Sequence, residues 1–104
     1  LLDGYAYEMA KIMRKGLALG CTGWFDDDLW FVKEWGFKLS EISKPVFLWQ
    51  GDDDLMVPHA HSRWLEKHIP TAVLRFIPGQ GHISIGIKYR DEILKQAQDL
   101  LRQG

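Results

Sequence analysis

A single cysteine, Cys21, leaves no partner for an internal disulfide in this chain of 104 residues. Charge of one sign is equally scarce. Thirteen Lys and Arg stand against fourteen Asp and Glu, for a formal net charge of -1, and no Lys/Arg cluster is present to neutralise phosphates. Nucleic acid is therefore not an expected partner. No apolar run approaches the roughly 20 residues that span a bilayer, so no membrane association is expected either. Internal repeats and low-complexity tracts are missing, and the length suits one compact core. A chain with one thiol and no apolar span fits a reducing setting, and the expected location is cytoplasmic. The first residues are Leu1-Leu2 rather than Met, so we expect a segment cut from a longer protein, with any targeting signal upstream.

Apolar residues are plentiful at 46%, five Trp and five Phe among them, and their spacing carries structure. Tyr5, Met9, Met13 and Leu17 recur at every fourth position, with Glu8, Lys11, Arg14 and Lys15 on the other side, which predicts an amphipathic helix over 5–17. Gly16 and Gly20 break that pattern. A second helix is expected over 24–35, with Asp26, Asp27 and Asp28 in its first turns, where carboxylates suit the positive end of the helix dipole. After Lys44-Pro45 the run 46–50 is apolar on both alternating faces, as in a parallel strand covered by helices on both sides. Pro58 suits a first helical turn, and Ala60, Trp64, Leu65 and Ile69 give one apolar face before Pro70 closes the segment. Residues 72–77 read as a second strand, Pro78-Gly79-Gln80-Gly81 as a loop, and Tyr89, Ile93, Ala97, Leu100 and Leu101 as one side of a final helix. Two strands joined by a helical crossover of about 20 residues form a βαβ unit with parallel strands. The expected organisation is a helical segment over 1–40 followed by a βαβα portion over 41–104.

In a parallel sheet the loops at the carboxyl ends of the strands carry the site. Both polar clusters fall there: Gly51-Asp52-Asp53-Asp54 after the first strand and Gly79-Gln80-Gly81-His82 after the second. A carboxylate and an imidazole on neighbouring strand ends can meet across that edge. The stretch PVFLWQGDDDLMVP, followed by LRFIPGQGH, resembles the C-terminal end of the α/β-hydrolase fold family over residues 36–104. That family presents a strand, a Gly, two variable residues, the triad Asp and a Val-Pro helix start, then a strand, a Gly-rich turn and the triad His. The resemblance implies a fold class of partial three-layer α/β/α, the βαβα end of a hydrolase sheet preceded by cap-like helices. It further implies Asp54 as triad acid and His82 as triad base. A buried carboxylate fixes the tautomer of such an imidazole and steadies its positive charge while the other nitrogen takes a proton. Gly79 and Gly81 are expected to let the backbone bring His82 over the sheet edge.

Structural uses compete with each of these assignments. Asp54 can cap the helix near Pro58, leaving His82 a loop residue. Asp52 and Asp53 are expected to be solvated, and His68 to lie on a helix surface. His59 and His61, two residues apart, point to different sides of a helix, so neither a metal nor any other cofactor is expected. Nothing beside Cys21 in sequence would stabilise a thiolate, so it reads as a packed or free thiol. Trp24, Trp30, Phe31 and Met56 suit core packing first and an apolar pocket second. The G-x-S-x-G elbow that carries the nucleophile in the resembled family is not in this sequence, and Ser84 in GHISIG lacks the strand that would feed one.

The resulting expectation is a fragment supplying the acid and base for hydrolysis of an ester, amide, epoxide or carbon-halogen bond in a small molecule. Two other classes fit the same residues: a non-catalytic binder of a small apolar ligand, and a small stand-alone interaction module. A truncated sheet would also leave one edge of 46–50 open to pair with a second copy.

Overall fold

The computed structural model describes residues 2–103. Instead of one core, the chain divides after Gly36 into two units. The first contains α1 (Leu2–Gly16) and α2 (Thr22–Phe31), with Gly20 at φ 104 in the turn between them. On α1, Lys11 and Glu8 pair at 3.1 Å on the polar side. α2 starts two residues before the expected position, which moves Asp26, Asp27 and Asp28 past the first turn and away from the free N–H groups there. They do not serve the helix dipole. α2 also stops short of Trp35: Lys33 N–H closes onto the Trp30 carbonyl at 3.3 Å, a three-residue bond that tightens the last turn. No residue of α2 is buried. Trp24, Trp30 and Phe31 are exposed, so the core packing expected of them is not found among the described residues, and Met56 is exposed as well.

The second unit opens with a 3₁₀ turn at Leu39–Glu41, where the Glu41 carboxylate accepts the Lys38 N–H at 3.2 Å. It continues through β1 (Val46–Gly51), α3 (His59–His68), β2 (Ala72–Ile77), α4 (Ser84–Lys88) and α5 (Arg90–Gln103). Local sequence accounts for these elements. Pro58, at φ -59, leads into α3, Lys67 and His68 occupy its negative last turn, and Asp91 and Glu92 open α5 while Arg102 closes it. At five residues α4 is too short to show a helical period, and it falls between the expected loop at 78–81 and the expected final helix, where the sequence suggested no element.

β1 and β2 run parallel, from Val46 opposite Ala72 to Gly51 opposite Ile77. Side chains alternate between the two faces. On one face Gln50 meets Ser62 of α3, and the His59 ring sits edge-on to Phe76 at 5.0 Å. On the other, Trp49 Nε1–H donates to Gln96 of α5 at 2.9 Å, with the Tyr89 ring 6.1 Å away. This is a partial α/β/α fold, with helices on both sides of a two-stranded sheet. Cover is thinner than the sequence suggested. Only Gln50 and Gly51 of β1 are buried, the rest of the strand being half-buried, and among the described residues the buried apolar ones are Ile69 and Ile85.

The strands converge most closely just past their ends. A Cβ built on Gly51 would lie 1.8 Å from the Gln80 carbonyl oxygen, so only glycine permits the two loops to touch there. Gly79 sits at φ 66 and needs glycine for its backbone conformation. Gly81 needs it for neither reason, because its φ is not positive and a Cβ would meet Asp53 oxygen at an ordinary 3.7 Å. Gly51→Ala is expected to destabilise by about 2 kcal/mol or more, since backbone has to move. Gly81→Ala should stay within about 1 kcal/mol of the parent chain. Urea titrations of both variants check this, and equal midpoints would show that the loops are not in contact.

Candidate active site

The loop after β1 holds Asp54 in place before it meets any partner on the neighbouring loop. Its Oδ1 accepts two backbone donors, Met56 N–H and Val57 N–H, each at 2.9 Å. Gln50, buried at the end of β1, supports that turn from beneath: its Nε2 donates to the Val57 carbonyl at 2.7 Å, and its oxygen accepts the Ser62 hydroxyl. Asp54 therefore caps its own turn, ahead of α3. The structural role weighed against its chemical one is real and occupies one oxygen.

The other oxygen faces His82. Asp54 Oδ2 and His82 Nδ1 are 3.0 Å apart, with the carboxylate side chain 7% exposed and the imidazole 42% exposed. Burial pushes the Asp54 carboxyl up, but the Val57 N–H, the His82 ring and the Met56 N–H all donate to it. Together with the charge of His82 they hold it below the ordinary aspartate value of 3.8. An ionised carboxylate only accepts hydrogen bonds, so Nδ1 carries a proton, and whenever the ring is neutral Nε2 keeps its lone pair. Among the described residues nothing hydrogen-bonds Nε2. A pair of this geometry can take up a proton at Nε2 and stabilise the resulting cation.

The loop after β2 is held from its own side. Ser84 Oγ accepts the Gly81 N–H at 2.8 Å and donates to the buried Gln80 Oε1 at 3.1 Å, so its hydroxyl is committed to the turn. Asp53 is exposed, and its N–H reaches the Gln80 carbonyl at 3.0 Å. Asp52 departs from the expected solvated role. Although exposed, its carboxylate accepts the Gly79 N–H at 2.7 Å, joining the two loops. Sequence reasoning missed Gln50, Ser62, Gln80 and this use of Asp52. For Gln50 the signal available was a polar side chain at the end of an otherwise apolar strand; Ser62 within α3 and Gln80 beyond β2 carried none.

His61 is exposed, while His68 stacks on Trp64 at 3.9 Å with Nδ1 2.7 Å from the Trp64 carbonyl. No group of three or more His, Cys, Asp or Glu side chains converges among the described residues. Cys21 is a free, exposed thiol preceding α2. A groove of about 440 Å³, lined in part by Phe47, Arg75, Glu92 and Leu100, includes neither Asp54 nor His82. Among the described residues no helix is long and apolar enough to cross a membrane.

Fold and corner together describe part of an α/β protein with an acid–imidazole pair at the carboxyl ends of two parallel strands. Comparison with known proteins points the same way. A pimeloyl-[acyl-carrier protein] methyl ester esterase of Nitrosomonas europaea is 36% identical over 45 residues, which cover 43% of this chain and 18% of the esterase. Serine hydrolase BPHL of Homo sapiens is 28% identical over 64 residues, covering 62% of this chain and 22% of that protein. These partial matches support a relationship to α/β hydrolases. The chain spans only 18% and 22% of the length of these two relatives. No family model and no solved structure matches it.

The lowered Asp54 value carries a pH dependence with a definite sign. A carboxyl that titrates lower in the folded than in the unfolded chain stabilises the fold above its unfolded value, about 3.9, and that stabilisation is lost as pH falls through the folded value. Asp54→Asn is therefore expected to be less stable than the parent at pH 7, with the gap narrowing below about pH 4. Denaturant titrations at pH 7 and pH 3 check this; a gap that stays constant would mean that Asp54 is not held in its ionised form.

Proposed function

We propose that this chain is the C-terminal part of an α/β-fold hydrolase, supplying triad acid Asp54 and triad base His82 to a nucleophile carried outside these 104 residues. The observation that carries the reading is the 3.0 Å contact between Asp54 Oδ2 and His82 Nδ1 at the carboxyl ends of β1 and β2. His82 Nε2 takes the proton of the attacking nucleophile or water and returns it to the leaving group, while Asp54 keeps the ring in the Nδ1–H tautomer and stabilises the imidazolium. The relatives carry the names of an ester-cleaving enzyme and a serine hydrolase. A serine nucleophile and a small ester substrate fit those names best among the ester, amide, epoxide and carbon-halogen options. The sparse burial of β1 fits a sheet whose other strands and helices belong to the rest of the protein.

Two outcomes test the reading. Purified 104-residue chain should not turn over an activated ester faster than free imidazole, nor react with an active-site serine probe. In the longer protein, Asp54→Asn should lower kcat by about 10⁴-fold. Stoichiometric labelling of Ser84 or Cys21 in the short chain, or full activity of the longer Asp54→Asn protein, would overturn it.

The two edges of the sheet differ, and this bears on partners. The bonds from Val46 N–H and Asp52 N–H to the backbone at and before β2 set the parity of β1, placing the N–H and C=O of Phe47 and Trp49 on its outer edge. On β2 the outward Leu74 N–H is taken by the Glu66 carboxylate of α3 at 3.1 Å. No such guard is found on β1 among the described residues, and an unpaired strand edge is a template for pairing. In the short chain β1 is expected to pair with β1 of a second copy, antiparallel across a two-fold axis. Sedimentation at micromolar concentration reads this: a clean monomer with slowly exchanging amides over 46–50 would mean that the edge is covered within one chain.

A further inference from the structure

We infer that Asp52 is a positioning residue for the acid–base pair: by holding Gly79 it fixes the turn that delivers His82 to Asp54. The inference rests on the reading of Asp54 and His82 as the functional pair. Three hydrogen bonds join the loop after β1 to the end of β2 and the loop after it, besides the Asp54–His82 contact itself. Asp52 N–H donates to the Ile77 carbonyl at 3.2 Å, Asp53 N–H donates to the Gln80 carbonyl at 3.0 Å, and Gly79 N–H donates to Asp52 Oδ1 at 2.7 Å. The first two use backbone alone and place no demand on side chains. The third does, and it is the shortest.

Its location gives it leverage. Gly79, at φ 66, is where the chain reverses after β2, three residues before His82. A loop held by its neighbour only at Ile77 and Gln80 retains freedom to twist about the reversal between them, and a swing of about 1 Å at His82 takes the imidazole beyond hydrogen-bond range of Asp54. The Asp52 carboxylate fixes the reversal itself through a charge-assisted bond, a stronger type than a neutral pair. Asp52 and Asp54 thus divide the work on the second loop. One holds its backbone and the other its imidazole.

Asp53 provides an internal control: it lies between the two, is exposed as Asp52 is, and contributes only its backbone to the contact. The requirement on residue 52 is an acceptor oxygen of the right length. Asparagine supplies that oxygen without the charge, and alanine supplies nothing.

Proton NMR of the purified 104-residue chain tests this without any enzymatic assay, through the exchange rates of the His82 Nδ1–H proton and the Gly79 amide. The parent chain should show a slowly exchanging Nδ1–H that is lost in Asp54→Asn. In Asp52→Ala both protons should exchange at least about tenfold faster, the consequence of losing one hydrogen bond, while the chain keeps a cooperative urea transition whose midpoint falls by no more than that one bond accounts for. Asp52→Asn should restore both rates, and Asp53→Ala should leave both unchanged. If Asp52→Ala accelerates the Gly79 amide and leaves the His82 Nδ1–H slow, Asp52 is a structural clasp only and the positioning role is overturned. Unchanged rates at both positions overturn it too. A parent chain with no protected Nδ1–H, or one that persists in Asp54→Asn, defeats the reading of the pair together with the inference built on it.

Discussion

The parallel register of β1 and β2 is the constraint on which the rest depends. Gly51 lies opposite Ile77, so both strands end at the same level and their loops leave on the same edge. Asp54 follows three residues after one strand end and His82 five after the other, spans that short loops can bridge. A slip of two residues would displace one loop by about 6.6 Å, and a slip of one would turn every side chain of a strand to the opposite face. Either would separate groups now 3.0 Å apart. The register is protected by the sequence on both sides of the pair. Gln50 must face α3 to reach Ser62, and Gly51 must be glycine to admit the Gln80 carbonyl.

Polar groups, more than apolar ones, shape this corner. The buried polar side chains Gln50, Ser62 and Gln80 lie beneath or beside the two loops, and among the described residues no buried side-chain polar atom lacks a partner. Such networks favour one arrangement because an unmatched buried group is costly. Asp54 shows the same balance in one residue. Burial alone would favour its neutral form, yet two backbone donors and the imidazole outweigh that effect. Its ionisation is what assigns the proton on His82 to Nδ1 and frees Nε2.

What could be read directly from the residues were the elements with strong local patterns: β2 to the residue, β1 to within one, and α3 through its Pro58 entry and Pro70 exit. That the loops bearing Asp54 and His82 share an edge was also legible, because a strand-helix-strand order fixes which loops do so; choosing Asp54 over Asp52 and Asp53 rested on the resemblance to α/β hydrolases. Features set by tertiary contact were not. Gly51 reads as an ordinary strand terminator until the Gln80 carbonyl is seen beside it, and nothing about Asp52 distinguishes it from Asp53 until Gly79 N–H is placed at 2.7 Å. The start of α2 was misjudged because Asp26, Asp27 and Asp28 resemble an N-terminal signal that the backbone does not use. Burial was overestimated for a different reason. Periodicity shows that a side chain is apolar and cannot show what covers it, and the exposure of Trp24, Trp30 and Phe31 has no signature in spacing.

Apolar cover and polar geometry are thereby separated in this chain. The second unit has few buried apolar residues, Ile69 and Ile85, yet the corner is held by bonds that all fall between Gln50 and Ser84. Those bonds involve neither α1 nor α2. The geometry that the proposed acid–base work would need therefore comes from two loops and the strand ends that hold them, and it is present within these residues alone. For the proposed chemistry this sets a specific demand on the remainder of the protein. It has to place a nucleophile within hydrogen-bond reach of one exposed nitrogen, Nε2 of His82, whose orientation is already settled by Asp54.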